Sequence, residues 1–243
     1  MHPDVYRDMA ELQEQHWWFS ARRKILARCI ESLALPPGAR ILEIGCGTGG
    51  NLAMLARFGQ LLAMESHPEA RAYAASLNVC PVVSGALPYQ LPFESQPFDL
   101  VCLLDVLEHI YDDVAALTQA GKLLTPNGRL LVTVPAYQWL WSSHDVLHHH
   151  HRRYTAGLLA SKLGAAGLAV VRIGYFNTLL FPAITLVRIA RGCFNQSDAS
   201  DTKMPGPMVN AVLEKLFALE QHLVSRALCP FGTSVLSVIK QRT

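Results

Sequence analysis

The order of apolar and polar positions along the chain predicts short strands that alternate with helices. From residue 40 onward, apolar runs of four to six residues are followed by longer segments with helical periodicity. The predicted strands are Arg40–Ile44, Leu61–Glu65, Val79–Val83, Phe98–Leu104, Arg129–Val134, Ala169–Gly174 and Ser234–Lys240. The predicted helices are Asn51–Phe58, Pro68–Ser76, Asp112–Leu124 and Ala156–Ala166. Because the strands are apolar throughout, we expect an α/β fold with a doubly wound, mostly parallel seven-stranded sheet.

Two segments lie outside this alternation. Residues 1–37 are predicted to form an N-terminal helical lid, and residues 178–231 an inserted helical cap before the last strand. The core then comprises residues 38–177 and 232–243. The cap region comprises an apolar run that begins at residue 175 and ends at 187, a polar stretch at 195–203 that we expect to be mobile, and an amphipathic helix near 208–226. The apolar side of that helix contains Val209, Val212, Leu213, Leu216, Phe217, Leu223 and Val224.

Composition narrows the classes of protein that fit. The net charge of +2 argues against non-specific electrostatic binding to nucleic acid. Six cysteines without a C-x-x-C pair favour a reducing compartment, and the polar start predicts no signal peptide, so we expect a cytoplasmic protein. The apolar run at 175–187 is too short to span a bilayer, although it could lie at a membrane surface.

A glycine-rich turn is the strongest chemical signal in the chain. Arg40-Ile-Leu-Glu-Ile-Gly-Cys-Gly-Thr-Gly-Gly50 predicts a buried strand, a turn and a helix start, where a ligand can lie against backbone N–H groups. Gly45, Gly47 and Gly50 also match the dinucleotide-binding pattern G-x-G-x-x-G. With Glu43 inside the strand and Gly49 in the turn, the segment resembles motif I of the class I S-adenosylmethionine-dependent methyltransferases.

Four further motifs follow in the order typical of small-molecule class I methyltransferases, including those of ubiquinone-biosynthesis type. They are Gly85-Ala86-Leu87, Leu91-Pro92-Phe93, Phe98-Asp99-Leu100-Val101 and Leu107-Glu108-His109. Glu65, at the end of the second strand, can accept hydrogen bonds from both ribose hydroxyls, although a nicotinamide enzyme uses a carboxylate in the same way. The resemblance covers residues 38–175.

The resemblance implies S-adenosylmethionine as the cofactor. Glu43 would bind its amino end, the 45–47 backbone its methionine and ribose, Glu65 its ribose, and the 86–87 backbone its adenine. Many relatives place an Asp after the third-strand glycine, where this chain has Ala86. The implied cofactor contacts are Trp18, Arg22, Glu43, Gly45, Cys46, Gly47, Thr48, Gly49, Glu65, Ser66, Ala86, Leu87, Leu104 and Asp105.

Two motifs leave alternatives open. In His16-Trp-Trp-Phe-Ser-Ala-Arg22-Arg23, Trp18 and Arg22 either close over the cofactor or belong to a helix that only packs on the sheet. Glu108 and His109 could bind a metal, as a similar pair does in some relatives. A second carboxylate and histidine at ligand spacing are not evident, so we expect no metal site and favour helix-start hydrogen bonding.

The segment after the fifth strand is rich in candidate catalytic groups. Methyl transfer is an in-line displacement in which the protein aligns the nucleophile and, for a hydroxyl, removes its proton. We predict that His144, Asp145 and His150 perform this step, with Arg152 or Arg153 binding an anionic group of the substrate. Alternatively, the histidines form a solvated loop that binds adventitious metal, and the arginines cap or pair with the helix starting near Thr155.

The function that these observations favour is transfer of a methyl group to a hydroxyl or amine of a small-molecule acceptor. A lipid-linked acceptor at the membrane surface, contacted through the cap, is one form of this hypothesis. The alternatives are a regulatory module that binds the cofactor without turnover and a nicotinamide-dependent oxidoreductase. The sequence identifies neither the acceptor nor the oligomeric state.

Overall fold

The computed structural model describes residues 10, 12–93, 97–193, 204–224 and 229–242. Its seven strands are β1 (Arg40–Ile44), β2 (Gln60–Glu65), β3 (Val82–Ser84), β4 (Phe98–Leu104), β5 (Leu124–Pro135), β6 (Leu168–Phe176) and β7 (Ser234–Gln241). They form one sheet in the order β3-β2-β1-β4-β5-β7-β6. The first five strands run parallel to one another, whereas β7 runs antiparallel to both β5 and β6. The predicted seven-stranded, mostly parallel sheet is therefore confirmed.

Helices cover both faces of this sheet. They are α1 (Trp17–Glu31), α2 (Leu52–Leu55), α3 (Pro68–Ser76), α4 (Asp113–Lys122), α5 (Ser143–Leu147), α6 (Ala156–Ala165), α7 (Phe181–Cys193), α8 (Pro207–Ala218) and α9 (Gln221–Val224). Consecutive strand residues point to opposite faces, so Ile41 packs with α1 and α8 while Leu42 packs with α4 and α6. These two apolar layers fix the position of the strand ends that surround the candidate site.

The element boundaries differ most from the sequence prediction at three places. The third strand begins at Val82 rather than Val79, because Pro81 has no N–H to donate to the ladder. The fifth strand begins earlier, at Leu124, and the helix predicted at 51–58 is a short α-helix followed by a 3₁₀ turn, Ala56–Phe58. Residues 1–9 of the predicted lid, the polar stretch 195–203 and Arg226 lie outside the described residues.

The region predicted as a cap packs against the N-terminal helix. The buried ring of Phe217 in α8 contacts Trp17 edge-on at 6.0 Å. Glu214 Oε1 accepts hydrogen bonds from Ser20 Oγ and Lys24 Nζ of α1, both at 2.7 Å. The apolar stripe of α8 is divided by this packing, since Phe217 faces inward while Val212 and Leu216 are exposed. Within the described ranges, no helix has the length and apolar character needed to cross a bilayer.

Candidate active site

The glycine turn after β1 leaves open space beside its backbone. The N–H groups of Gly45 and Cys46 donate to the Met64 carbonyl at 2.8 and 3.1 Å, which ties the turn to β2. Gly45 has a φ of +73°, and a Cβ there would lie 2.7 Å from Val106 Cγ2. Gly47 also has a positive φ, +55°, but no atom lies within 4 Å of the position where its Cβ would be. A ligand can therefore approach the backbone at Gly47.

Glu65 connects the end of β2 to this turn. Its Oε2 accepts the Gly47 N–H at 2.8 Å, and its Oε1 accepts the His67 N–H at the same distance. Ser66 Oγ lies 3.3 Å from Oε1. Because an ionised carboxylate offers about four acceptor positions, both oxygens can accept further hydrogen bonds. The carboxylate thus faces the space in which the sequence predicts a ribose.

Glu43 and Arg22 each have one buried polar atom that no described residue hydrogen-bonds. Glu43 Oε1 accepts from Asn51 Nδ2 at 2.8 Å, whereas Oε2 has no hydrogen-bond partner among the described residues. Burial raises the pKa of Glu43 to about 7. The Arg22 guanidinium lies 2.7 Å from Asp105 Oδ2 and 2.9 Å from Thr133 Oγ1, yet its buried Nε is unpartnered within the same set of residues.

The N-terminal segment closes over the turn. Trp18 and Arg22 are four residues apart on α1, and the guanidinium lies 5.2 Å from the centre of the Trp18 ring. Thr48 Oγ1 donates to Gln13 Oε1 at 2.7 Å, and the Arg23 guanidinium contacts the carbonyl of Gln13. These contacts connect residues 13–23 to the turn, and the closure of this segment over the cofactor stays a prediction.

The predicted adenine contact is only partly available. The Ala86 N–H and C=O both pair with Gln90, at 2.9 and 2.8 Å, so the Ala86 N–H is not open to a ligand. The prediction for the adenine therefore rests on Leu87 and on the Ala86 side chain. Leu104 is buried at the end of β4, and Asp105 follows it with a φ of +61°.

Asp145 organises the histidine-rich segment from a fully buried position. Its carboxylate accepts hydrogen bonds from Arg153 Nε and Nη2 and from the backbone N–H of Ser142, each at 2.8 Å. His150 Nδ1 lies 2.8 Å from Asp145 Oδ1. Burial opposes ionisation here, but the hydrogen bonds from His150 and Arg153 hold the pKa of Asp145 below its ordinary value. The carboxylate therefore fixes His150 rather than its sequence neighbour His144.

His144 packs on another histidine instead. Its ring centre lies 4.1 Å from that of His148, and burial holds the pKa of His144 well below its ordinary value. Arg152 Nη1 bonds Asp113 Oδ2 at 2.6 Å. Arg153 pairs with Asp145 of α5, so both arginines are paired to carboxylates of helices other than the one that begins after Thr155. Binding of an anionic substrate group by either arginine stays a prediction.

The comparisons with known proteins agree with this geometry. Residues 15–173 match a methyltransferase domain family. The chain belongs to that family. Among solved structures, the methyltransferase in complex with the Haloferax volcanii Trm112 activator superposes with a TM-score of 0.64 at 16% identity, covering 99% of this chain and 96% of that one. A TehB-like SAM-dependent methyltransferase from Corynebacterium glutamicum superposes with a TM-score of 0.56 at 18% identity, covering 90% of this chain and 88% of that one.

Curated relatives match over part of their length. The 27-O-demethylrifamycin SV methyltransferase of Amycolatopsis mediterranei is 31% identical over 118 residues, 45% of this chain and 43% of that protein. The ubiquinone biosynthesis O-methyltransferase of Neisseria meningitidis is 31% identical over 99 residues, 37% and 42% of the two chains. The chain therefore spans about two fifths of the length of these relatives.

The cofactor of such methyltransferases is S-adenosylmethionine, and the residues of the site fit it. Its methionine end has an ammonium and a carboxylate, which match Glu43 Oε2 and Arg22 Nε, two buried atoms left without a partner in the described part of the chain. The open backbone at Gly47 and the Glu65 carboxylate suit the ribose. Sequence reasoning missed Gln13, Asn51 and Thr133, which support these groups, although Asn51 could have been noticed directly after the glycine turn.

Proposed function

We propose that this methyltransferase-family protein transfers a methyl group from S-adenosylmethionine to a hydroxyl or amine of a small-molecule acceptor. The observation behind the proposal concerns two buried atoms that have no hydrogen-bond partner among the described residues, the acceptor Glu43 Oε2 and the donor Arg22 Nε. The two side chains are close enough for Arg22 to lower the pKa of Glu43. A zwitterionic amino-acid group satisfies both atoms, whereas a nicotinamide dinucleotide has no such group. The pair therefore favours methyl transfer over hydride transfer.

Each part of the site has a separate task. When bound, S-adenosylmethionine supplies an electrophilic methyl group and a leaving group. Glu43 and Arg22 hold the amino-acid end, Glu65 accepts from the ribose hydroxyls, and Trp18 lies over Arg22 as part of the lid. The exclusion of water and the alignment of the acceptor provide most of the rate enhancement in a displacement of this kind.

We assign removal of the acceptor's proton to the histidine-rich segment. Asp145 fixes the orientation of His150 through the bond to Nδ1, which leaves Nε2 as the atom that can receive a proton. His144 is the second candidate, but its lowered pKa makes it a weaker base. We therefore place the proton transfer on His150, with Asp145 as its positioning residue.

Aromatic side chains offer a surface for the body of the acceptor. Tyr137 follows β5 and stacks on Trp139 and Tyr175, with ring centres 5.5 and 5.1 Å apart, and Phe181 lies beside it. Trp139 is exposed, so this cluster can extend its apolar contact to a ligand. The exposed apolar side of α8 supports a lipid-linked form of the acceptor, approached from a membrane surface.

A label-transfer experiment tests this proposal. The full chain is incubated with S-adenosylmethionine labelled in its methyl group and with small molecules extracted from cells, and the organic-soluble fraction is counted. We expect label in that fraction with the wild-type protein and little with Glu65→Ala. Binding of S-adenosylhomocysteine without any label transfer would favour the non-catalytic regulatory module instead.

A further inference from the structure

Three potential metal ligands from separate parts of the chain meet beside the cofactor site. Glu108 and His109 lie in the 3₁₀ turn Leu107–His109 after β4, and His150 lies in the loop after α5. One ligand atom from each lies within 4.8 Å of the others. The sequence predicts no metal site because the partner of Glu108 and His109 is about forty residues away along the chain, and only the fold brings His150 to them.

One oxygen of the Glu108 carboxylate has no hydrogen-bond partner among the described residues. Glu108 is 1% exposed, and its Oε2 makes no hydrogen bond to any residue that the structure describes. A buried carboxylate oxygen without a donor is costly unless a cation or a proton occupies the position next to it. Arg22 and Arg153 influence Glu108 electrostatically, but each is hydrogen-bonded to another carboxylate.

Both imidazoles have one nitrogen held by an acceptor outside the group. His150 Nδ1 is bonded to Asp145 Oδ1, and the His109 ring is hydrogen-bonded to the backbone of His148. A ring nitrogen that donates to such an acceptor leaves a lone pair on the other nitrogen of the ring. This is how proteins orient histidines that bind metals. The ring centres of His109 and His150 lie 4.7 Å apart, so the two free nitrogens can reach one ion.

We propose that Glu108, His109 and His150 bind one divalent first-row transition-metal ion. Two imidazoles and one carboxylate are a donor set used for Zn²⁺ and Fe²⁺, and three protein ligands leave a coordination position open. Mg²⁺ favours oxygen ligands and binds such a set poorly. The inference goes beyond the proposed function: an ion on Nε2 of His150 would occupy the atom to which the proton transfer is assigned, so that transfer requires the metal-free state.

Calorimetric titration of the metal-free full chain with Zn²⁺ tests the site without cofactor or acceptor. We expect one tight site in the wild-type protein and at least about tenfold weaker binding in Glu108→Gln and in His109→Gln. The matched control is the double variant His149→Ala/His151→Ala, which removes two exposed histidines of the same run and should leave this site unchanged. Fe²⁺ without oxygen should bind the same site, whereas Mg²⁺ should not compete.

Two results would overturn the site. One is the absence of a tight site in the wild-type protein, which would mean that Glu108 holds a proton instead. The other is Zn²⁺ binding that survives in both ligand variants and is lost in the His149/His151 control, which would mean adventitious binding to exposed histidines. Visible absorption of Co²⁺-loaded protein gives a second readout if one variant fails to fold. Loss of the metal site with label transfer retained would leave the proposed function standing.

Discussion

The backbone N–H of Gly47 lies 2.8 Å from Oε2 of Glu65, so the carboxylate that ends β2 fixes the turn that follows β1. The same carboxylate accepts the His67 N–H through Oε1. Glu65 therefore stabilises the glycine turn and has acceptor positions left for the ribose that we propose it binds. Because both contacts lie at the candidate cofactor site, removal of the Glu65 carboxylate should affect ligand binding more than global folding.

Replacement of Glu65 by Ala should weaken S-adenosylhomocysteine binding at least about tenfold, because hydrogen bonds to a charged group contribute about 1.5–3 kcal/mol each. The measurement is calorimetric titration of the folded variant. Glu69→Ala removes an exposed acid from the first turn of α3 and serves as the control. Equal affinity of the Glu65 variant and the wild-type protein would contradict the ribose assignment.

Gly47→Val should abolish cofactor binding while the chain stays folded. The valine side chain would occupy the open space beside the turn that the ligand needs. In addition, a β-branched residue is strained at the positive φ of this position. Gly167→Val is a matched control, because Gly167 also has a positive φ, +75°, and open space around it, but follows α6. We expect similar thermal destabilisation in the two variants and loss of binding only at Gly47; normal binding by Gly47→Val would mean that the turn faces elsewhere.

Cofactor affinity should fall as the pH decreases below about 7. Burial raises the pKa of Glu43 to about 7 in the free protein, whereas a bound ammonium group would favour the ionised carboxylate and lower that pKa. Binding is then strongest above pH 7 and weakens by up to about tenfold per pH unit below it. Titrations with S-adenosylhomocysteine on either side of neutrality measure this slope. Glu43→Gln should bind more weakly and without the slope; an equal slope in that variant would assign it to another group.

Replacement of His150 by Ala should lower the rate of methyl transfer by roughly 10²–10⁴-fold with little change in cofactor affinity, because His150 is the imidazole that Asp145 orients. His149→Ala is the control, since His149 is exposed in the same loop. His144→Ala should have the smaller effect. Turnover that is retained in both His144→Ala and His150→Ala would leave alignment and water exclusion as the main contributions.

The exposed apolar side of α8 should bind lipid vesicles if the acceptor is lipid-linked. Flotation with liposomes at low salt should recover the wild-type protein, and Leu216→Glu should reduce that recovery because Leu216 is exposed there. Ala211→Glu adds the same charge at another exposed position of the helix and should have less effect. Failure of the wild-type protein to float would restrict the acceptor to soluble small molecules.

The positions of several strands and helices were predictable from sequence, whereas contacts between distant parts of the chain were not. Apolar runs and glycine spacing located β1, β4 and α3 to the residue, because those signals lie within each segment. The reversal of β7 has no such local signal, since an apolar strand has the same pattern in either direction.

The candidate site shows the same division. The sequence locates Glu43 and Glu65 because both lie within predicted strands. The hydrogen bond of Asp145 is made to His150 and not to His144 because of the turn that follows α5, which the sequence does not reveal. His150 comes close to Glu108 and His109 because the segments after two different strands meet in the fold. No periodic pattern in the sequence indicates such a contact.

The most direct test of the central assignment is calorimetric titration of the wild-type protein with S-adenosylhomocysteine and, in parallel, with NAD⁺. The geometry of Glu43, Arg22 and Glu65 predicts saturable binding of S-adenosylhomocysteine and no measurable binding of NAD⁺. Binding of NAD⁺ with no response to S-adenosylhomocysteine would contradict the assignment of this site to a methyltransferase cofactor.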